Sequence, residues 1–143
     1  MFFARPDTCA VQGFARTVPG GPALDVTRAA LQSLLDGPDD AERAAGFVSA
    51  IPDSLEVQRH RMRYMAFGYD APHHGRKVGI QTLEARADGV LYVSFSPELN
   101  AYDRGAVRVC TIVRQVQATV TQFPEWKAVR IAVDGKTEGV LQP

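Results

Sequence analysis

The chain of 143 residues is 45% hydrophobic and 22% charged, the profile of a single globular domain that can bury about 68–70% of the surface its unfolded form exposes. Its 16 Lys and Arg balance its 16 Asp and Glu, which argues against a whole-molecule attraction to nucleic acid or an anionic membrane and leaves only local patches. No apolar run approaches the ~20 residues needed to cross a bilayer. The opening "MFFARPD" is too short for a signal peptide, so the expectation is either a cytoplasmic chain or one trimmed ahead of Met1.

Residues 2–7, "FFARPD", and 10–19, "AVQGFARTVP", read as two short extended pieces joined by a turn. Gly20, Gly21 and Pro22 break that pattern and open a helix. In it Leu24, Thr27, Leu31, Leu34 and Leu35 recur at three- and four-residue intervals and share one face, and Gly37-Pro38 supplies the stop. Asp39 or Asp40 can cap a short second helix, "AERAAGF", which Ile51-Pro52-Asp53 closes off. Residues 55–67 read as a strand. Residues 70–77, "DAPHHGRK", read as a loop, and residues 78–87 as extended again. Asp88-Gly89 is a strong hairpin signal, because both central residues of a type I′ turn need positive φ. It leads into the alternating "VLYVSFS" of residues 90–96.

The stretch "VCTIVRQVQATVTQFPEWKAVRIAVDG", residues 109–135, is rich in β-branched residues but helical in its first half. As a strand, residues 107–120 would mix Arg108 and Arg114 with Cys110 and Ile112 on one face. As a helix, Val109, Ile112, Val113, Val116, Val120 and Phe123 form one apolar stripe, with Arg108, Arg114, Gln115 and Gln117 facing outward. Burying that stripe outweighs the few tenths of a kcal/mol that each β-branched residue costs. Pro124 ends the helix. Residues 129–133 then form a strand, with a weaker one expected at 136–141. This order predicts an α+β fold: two main helices packed on one face of a mixed, mostly antiparallel β-sheet, with an inserted hairpin or loop segment.

Taken together, Leu34-Leu35-Asp36-Gly37-Pro38, Ala50-Ile51-Pro52, the Asp88-Gly89 turn with its strand, and Thr121-Gln122-Phe123-Pro124 before Val133-Asp134-Gly135 resemble the GerMN domain, named for sporulation and spore germination. No single piece is specific; their order and spacing are. The resemblance runs from Phe2 to Gly135 and makes residues 1–143 one GerMN-like domain, in which 58–79 stand out as an insertion relative to the usual pattern. It implies a non-catalytic, extracytoplasmic bacterial domain carried on a lipoprotein or membrane-anchored chain whose signal lies outside this sequence. It also implies a fold similar to small ring-building modules of secretion and sporulation assemblies, which is a likeness of fold and not of task.

Two cysteines in isolation read most simply as buried thiols. The resemblance changes that reading, because some relatives carry cysteines at the positions of Cys9 and Cys110; in an exported chain these would form a disulfide. His60, His73 and His74 lie in the insertion near Asp70, yet adjacent histidines rarely reach one ion together, and their Pro- and Gly-flanked loop reads as a solvated tip, so no metal is expected. Alternation places Arg59, Arg61 and Arg63 on one strand face, where Arg76 and Lys77 could join them. Such a stripe would suit phosphate or carboxylate groups, although a charged edge that deters aggregation explains it more simply. Tyr64 and Tyr69, with Phe67, Met62 and Met65, make the same segment either a contact surface or a satellite core. Trp126 is either a lid on the helix–strand corner or an exposed anchor.

Motifs of hydrolases and of nucleotide-binding enzymes are missing, and Glu84, Asp88, Glu98 and Asp103 show no acid–base spacing. The expectation is therefore a non-enzymatic binding or assembly module of the cell envelope, without cofactor. It would act through a sheet edge or through residues 58–79 on itself, on an envelope protein or on an anionic cell-wall polymer. No nucleic-acid partner is expected, and membrane contact only through an anchor outside this chain. The alternatives are a small metal-dependent hydrolase using His60, His73 and His74, or an accessory domain of a larger envelope enzyme.

Overall fold

The computed structural model describes residues 1–103 and 105–141. Strands β1 (Phe2–Ala4) and β2 (Val11–Gly13) form a small antiparallel ladder. Helix α1 (Ala23–Asp36), the short α2 (Asp40–Ala44) and α3 (Ser54–Ala66) follow. Strands β3 (Ile80–Ala85) and β4 (Val90–Phe95), helix α4 (Ala106–Thr121) and strand β5 (Ala128–Val133) complete the chain. The main sheet has the order β3-β4-β5, antiparallel between β3 and β4 and parallel between β4 and β5. The architecture is α+β, with helices packed on the sheet.

The β-branched stretch is indeed a helix feeding a strand. Parallel neighbours cannot be joined by a hairpin, so α4 is the crossover that carries the chain from β4 to β5. Ile112, Val116 and Val120 are fully buried on it, and Leu91, Val93 and Phe95 are fully buried on β4. Alternate β4 residues thus point into the core, while Tyr92 on the other face pairs across to Glu84 and Arg130. At the β3–β4 turn, Asp88 and Gly89 both take positive φ, 62° and 74°, as a type I′ geometry requires.

Helix α1 lies beside α4 and buries Thr27, Ala30, Leu31 and Leu34. Gly37 ends it at positive φ, 83°, with ψ −179°, a backbone region that essentially only glycine adopts. Asp39 caps α2 through a reciprocal box with Glu42. Trp126 is a lid: it is buried, and its indole N–H donates to Thr27 Oγ1 at 2.8 Å, which ties the corner before β5 to α1. Cys9 and Cys110 are joined by a disulfide across 101 residues, with Cα atoms 5.7 Å apart, fastening the loop before β2 to α4.

Three expectations are corrected. Residues 55–66 are helical, within α3, and Phe67 caps its C-terminal end. Residues 136–141 do not form a strand: Asp134 and Gly135 both take positive φ and reverse the chain, leaving one isolated bridge between Val133 and Lys136. Gln115, expected to face outward, is fully buried. The reason is that α4 is covered on a second side by β1 and the segment around residue 50. Gln115 Oε1 accepts the Ala50 N–H at 2.8 Å, and its amide donates to the Phe2 carbonyl at 2.9 Å. Replacing Gln115 by Ala strands both backbone groups in the interior and is expected to lower the unfolding free energy by about 2–3 kcal/mol. Urea unfolding of the oxidised protein, with an unchanged slope, checks this.

Candidate functional site

The segment between α2 and β3 carries most of the candidate residues, and its organisation follows from α3. Asp53 caps that helix by accepting the Glu56 N–H at 2.8 Å. The unbranched Leu, Glu, Gln, Arg and Met residues that follow are good helix formers. The Asp-x-x-Glu pattern at residues 53–56 was the available signal for this helix. The alternating arginines masked it, and no inward stripe corrected them, because only Val57 of α3 is buried.

Polar contacts anchor the helix instead. Arg108 of α4 grips both carboxylate oxygens of Glu56 at 2.6 and 2.7 Å, and its Nε–H donates to the Ala50 carbonyl at 2.8 Å. Arg63 pairs with Asp103 at 2.9 Å. The Gln58 amide donates to the Gly75 carbonyl, and Lys77 pairs with Asp36. Gly75 sits at φ +74°, where a Cβ would meet Arg61 Cδ at 2.8 Å. A side chain there would strain the backbone and would have to displace the Arg61 and Gln58 side chains.

At the centre of this junction His60 and His73 meet. His73 is buried rather than part of a solvated tip, whereas His74 is exposed. His73 Nδ1 accepts the Gly75 N–H at 3.1 Å. That bond places the His73 proton on Nε2, which donates to His60 Nδ1 at 3.0 Å. Burial pushes both imidazoles below their ordinary pKa, helped at His60 by Arg63 and at His73 by His60 itself. Asp103 and Glu56 oppose the shift at His60, and Glu98 opposes it at His73.

Glu98 is also buried. Burial alone would raise its carboxyl, but hydrogen bonds from backbone N–H groups, including that of Arg76, and from Ser96 hold it below the ordinary value. The sequence offered no sign of this role, which depends on the 3₁₀ turn at Pro97–Asn100. A cleft of about 260 Å³ lies beside the pair, lined in part by His60, Tyr64, Pro72, Asn100 and Tyr102. The imidazole nitrogens that meet there are engaged with each other and with backbone. Among the described residues, no group of three or more His, Cys, Asp or Glu could hold a metal ion. As it stands the arrangement is a joint between α3 and the loop.

The remaining candidates are placed differently from a strand face. At about 100° per residue, Arg59 and Arg61 lie about 200° apart around α3, so Arg59, Arg61 and Arg63 are not one stripe. Arg76 and Lys77 lie in the loop before β3, both exposed. Tyr64 stacks loosely on His60, ring centroids 5.1 Å apart, and Tyr69 is exposed beyond the helix end.

The histidine joint gives a pH signature. Both folded pKa values lie below the unfolded one, so the unfolded chain binds more protons in the acid window. The joint's contribution is fully present above about pH 6.5 and is lost as pH falls below it. Urea midpoints should therefore drop from about pH 7 to pH 5, and replacing both His60 and His73 by Gln should flatten that limb.

The family model Germane, described as sporulation and spore germination, matches residues 75–139. No curated protein and no solved structure matches the chain. The matched residues hold β3, β4, α4 and β5; α3 lies ahead of them. The family's description names no reaction. Over residues 75–139 the chain is similar to the Germane family of sporulation and spore germination.

Proposed function

We propose that the chain is a non-catalytic binding module of the bacterial cell envelope, working outside the cytoplasm, with α3 and the turn after it as its contact surface. The observation that carries this reading is the placement of the exposed large hydrophobic side chains. Leu55, Met62, Tyr64, Met65, Phe67 and Tyr69 all lie between residues 55 and 69, and only Val48 and Val107 lie elsewhere among the described residues. A patch of this kind on a folded domain marks a place where something else binds. The disulfide supports an oxidising compartment. Strands β3 and β5 are the edges of the main sheet and, among the described residues, pair with no further strand, which offers a second route to self-association by strand pairing.

Two measurements test the reading. A photo-reactive residue placed at Met62 or Phe67 in cells should crosslink to an envelope component, while one at exposed Gln117 on α4 should not. Absence of crosslinks at both 62 and 67 sinks the proposal. If thiols are blocked at lysis, the native chain should carry Cys9 and Cys110 bonded. Reduction should then lower stability by about 4–5 kcal/mol on loop-entropy grounds.

A further inference from the structure

We infer that the partner of this surface is an anionic lipid bilayer, on which α3 lies with its outward face in the headgroup layer. The inference rests on the reading of α3 as the contact surface and names what it contacts.

The geometry of α3 carries it. Around the helix, Leu55, Met62 and Met65 lie on one outward side with Gln58 among them, with Arg61 at one border and Arg59 and Arg63 at the other. The three apolar residues are 59%, 66% and 57% exposed, and Phe67 and Tyr69 just past the helix end are 77% and 69% exposed. An apolar strip bordered by guanidinium groups and ended by aromatic rings is the layout of a helix that rests in a membrane interface.

Charge complementarity selects the bilayer. Residues 54–79 hold Arg59, Arg61, Arg63, Arg76 and Lys77 against Glu56 and Asp70, an excess of three positive charges, so the rest of this neutral chain is three negative. Arg63 and Lys77 pair with Asp103 and Asp36, whereas Arg59, Arg61 and Arg76 make no ion pair among the described residues. An anionic surface is therefore met on the α3 side by the three unpaired cations Arg59, Arg61 and Arg76. Lipid phosphates accept forked guanidinium bonds. A soluble polyanion would satisfy the arginines but offers no apolar phase to Met62, Met65 and Phe67. A protein partner would have to desolvate unpaired arginines on a convex helix. The bilayer interface accommodates both sets of groups.

The test uses the intact, disulfide-bonded chain and co-sedimentation with vesicles of phosphatidylglycerol mixed with phosphatidylcholine, against vesicles of phosphatidylcholine alone. Binding is expected to the anionic vesicles only, weakening with salt. The double variant Arg59→Gln/Arg61→Gln should lower partition by about tenfold or more, and Met62→Ser/Phe67→Ser should do likewise. Because loss of binding could follow from misfolding, Phe67→Trp provides a gain of signal: its emission should move to the blue on anionic vesicles, over a background from the buried Trp126. Equal binding to both vesicle types, or none, overturns the inference. So does binding that soluble polyphosphate matches and that Met62→Ser/Phe67→Ser leaves unchanged. Crosslinks from position 67 to protein, without vesicle binding, refute the lipid partner while leaving the contact surface standing.

Discussion

Helix α4 is the element against which the rest of the molecule is built. Its apolar side, Ile112, Val116 and Val120, closes over β4 and makes the parallel β4–β5 pairing possible. Its flank holds the N-terminal ladder through the buried amide of Gln115, and its first turns are fastened to the loop before β2 by the Cys9–Cys110 bond. Arg108, near the same end, reaches outward to Glu56 and fixes the start of α3. Core packing, covalent closure and the mounting of the exposed helix therefore converge on one rod of 16 residues. Packing supplies most of the favourable energy; the polar contacts decide where the neighbours sit.

This concentration explains which parts of the structure were legible in the sequence. The period of Val109, Ile112, Val116 and Val120 predicted a helix against strong β propensity, because the face it buries is broad. Asp88-Gly89, Gly37-Pro38 and the Asp39 cap were equally readable, since each is a local backbone requirement met by residues that tolerate it. Gln115 was misassigned because an amide within an apolar period reads as outward-facing. Its burial depends on a carbonyl of Phe2 and an amide of Ala50, far away in sequence. The turn at Asp134 and Gly135 was present as a motif, but it ended the sheet instead of starting another hairpin.

The candidate site was legible in composition and not in shape. Residues 58–79 stood out for their arginines, histidines and aromatics, and the loop at 70–77 was read correctly, yet the strand assigned to residues 55–67 was wrong for a physical reason. Periodicity reports the boundary between core and solvent, and α3 has almost no core side. Its apolar residues face outward, so the usual signal was inverted, while the alternation of Arg59, Arg61 and Arg63 imitated a strand. The His60–His73 contact joins a helix to a loop 13 residues on; no spacing rule anticipates it. The solvated histidine tip that was expected accordingly gave way to a contact between a buried His73 and a half-buried His60, both held below their ordinary pKa.

The mounting of α3 has a consequence for how such a domain diversifies. A helix that contributes one buried residue, Val57, and is otherwise bolted on by Arg108, Gln58 and His60 leaves the sheet and its crossover almost untouched when its outer side chains change. The bolts can be kept while the exposed lettering is rewritten, so one scaffold can be readdressed to new surroundings without being refolded.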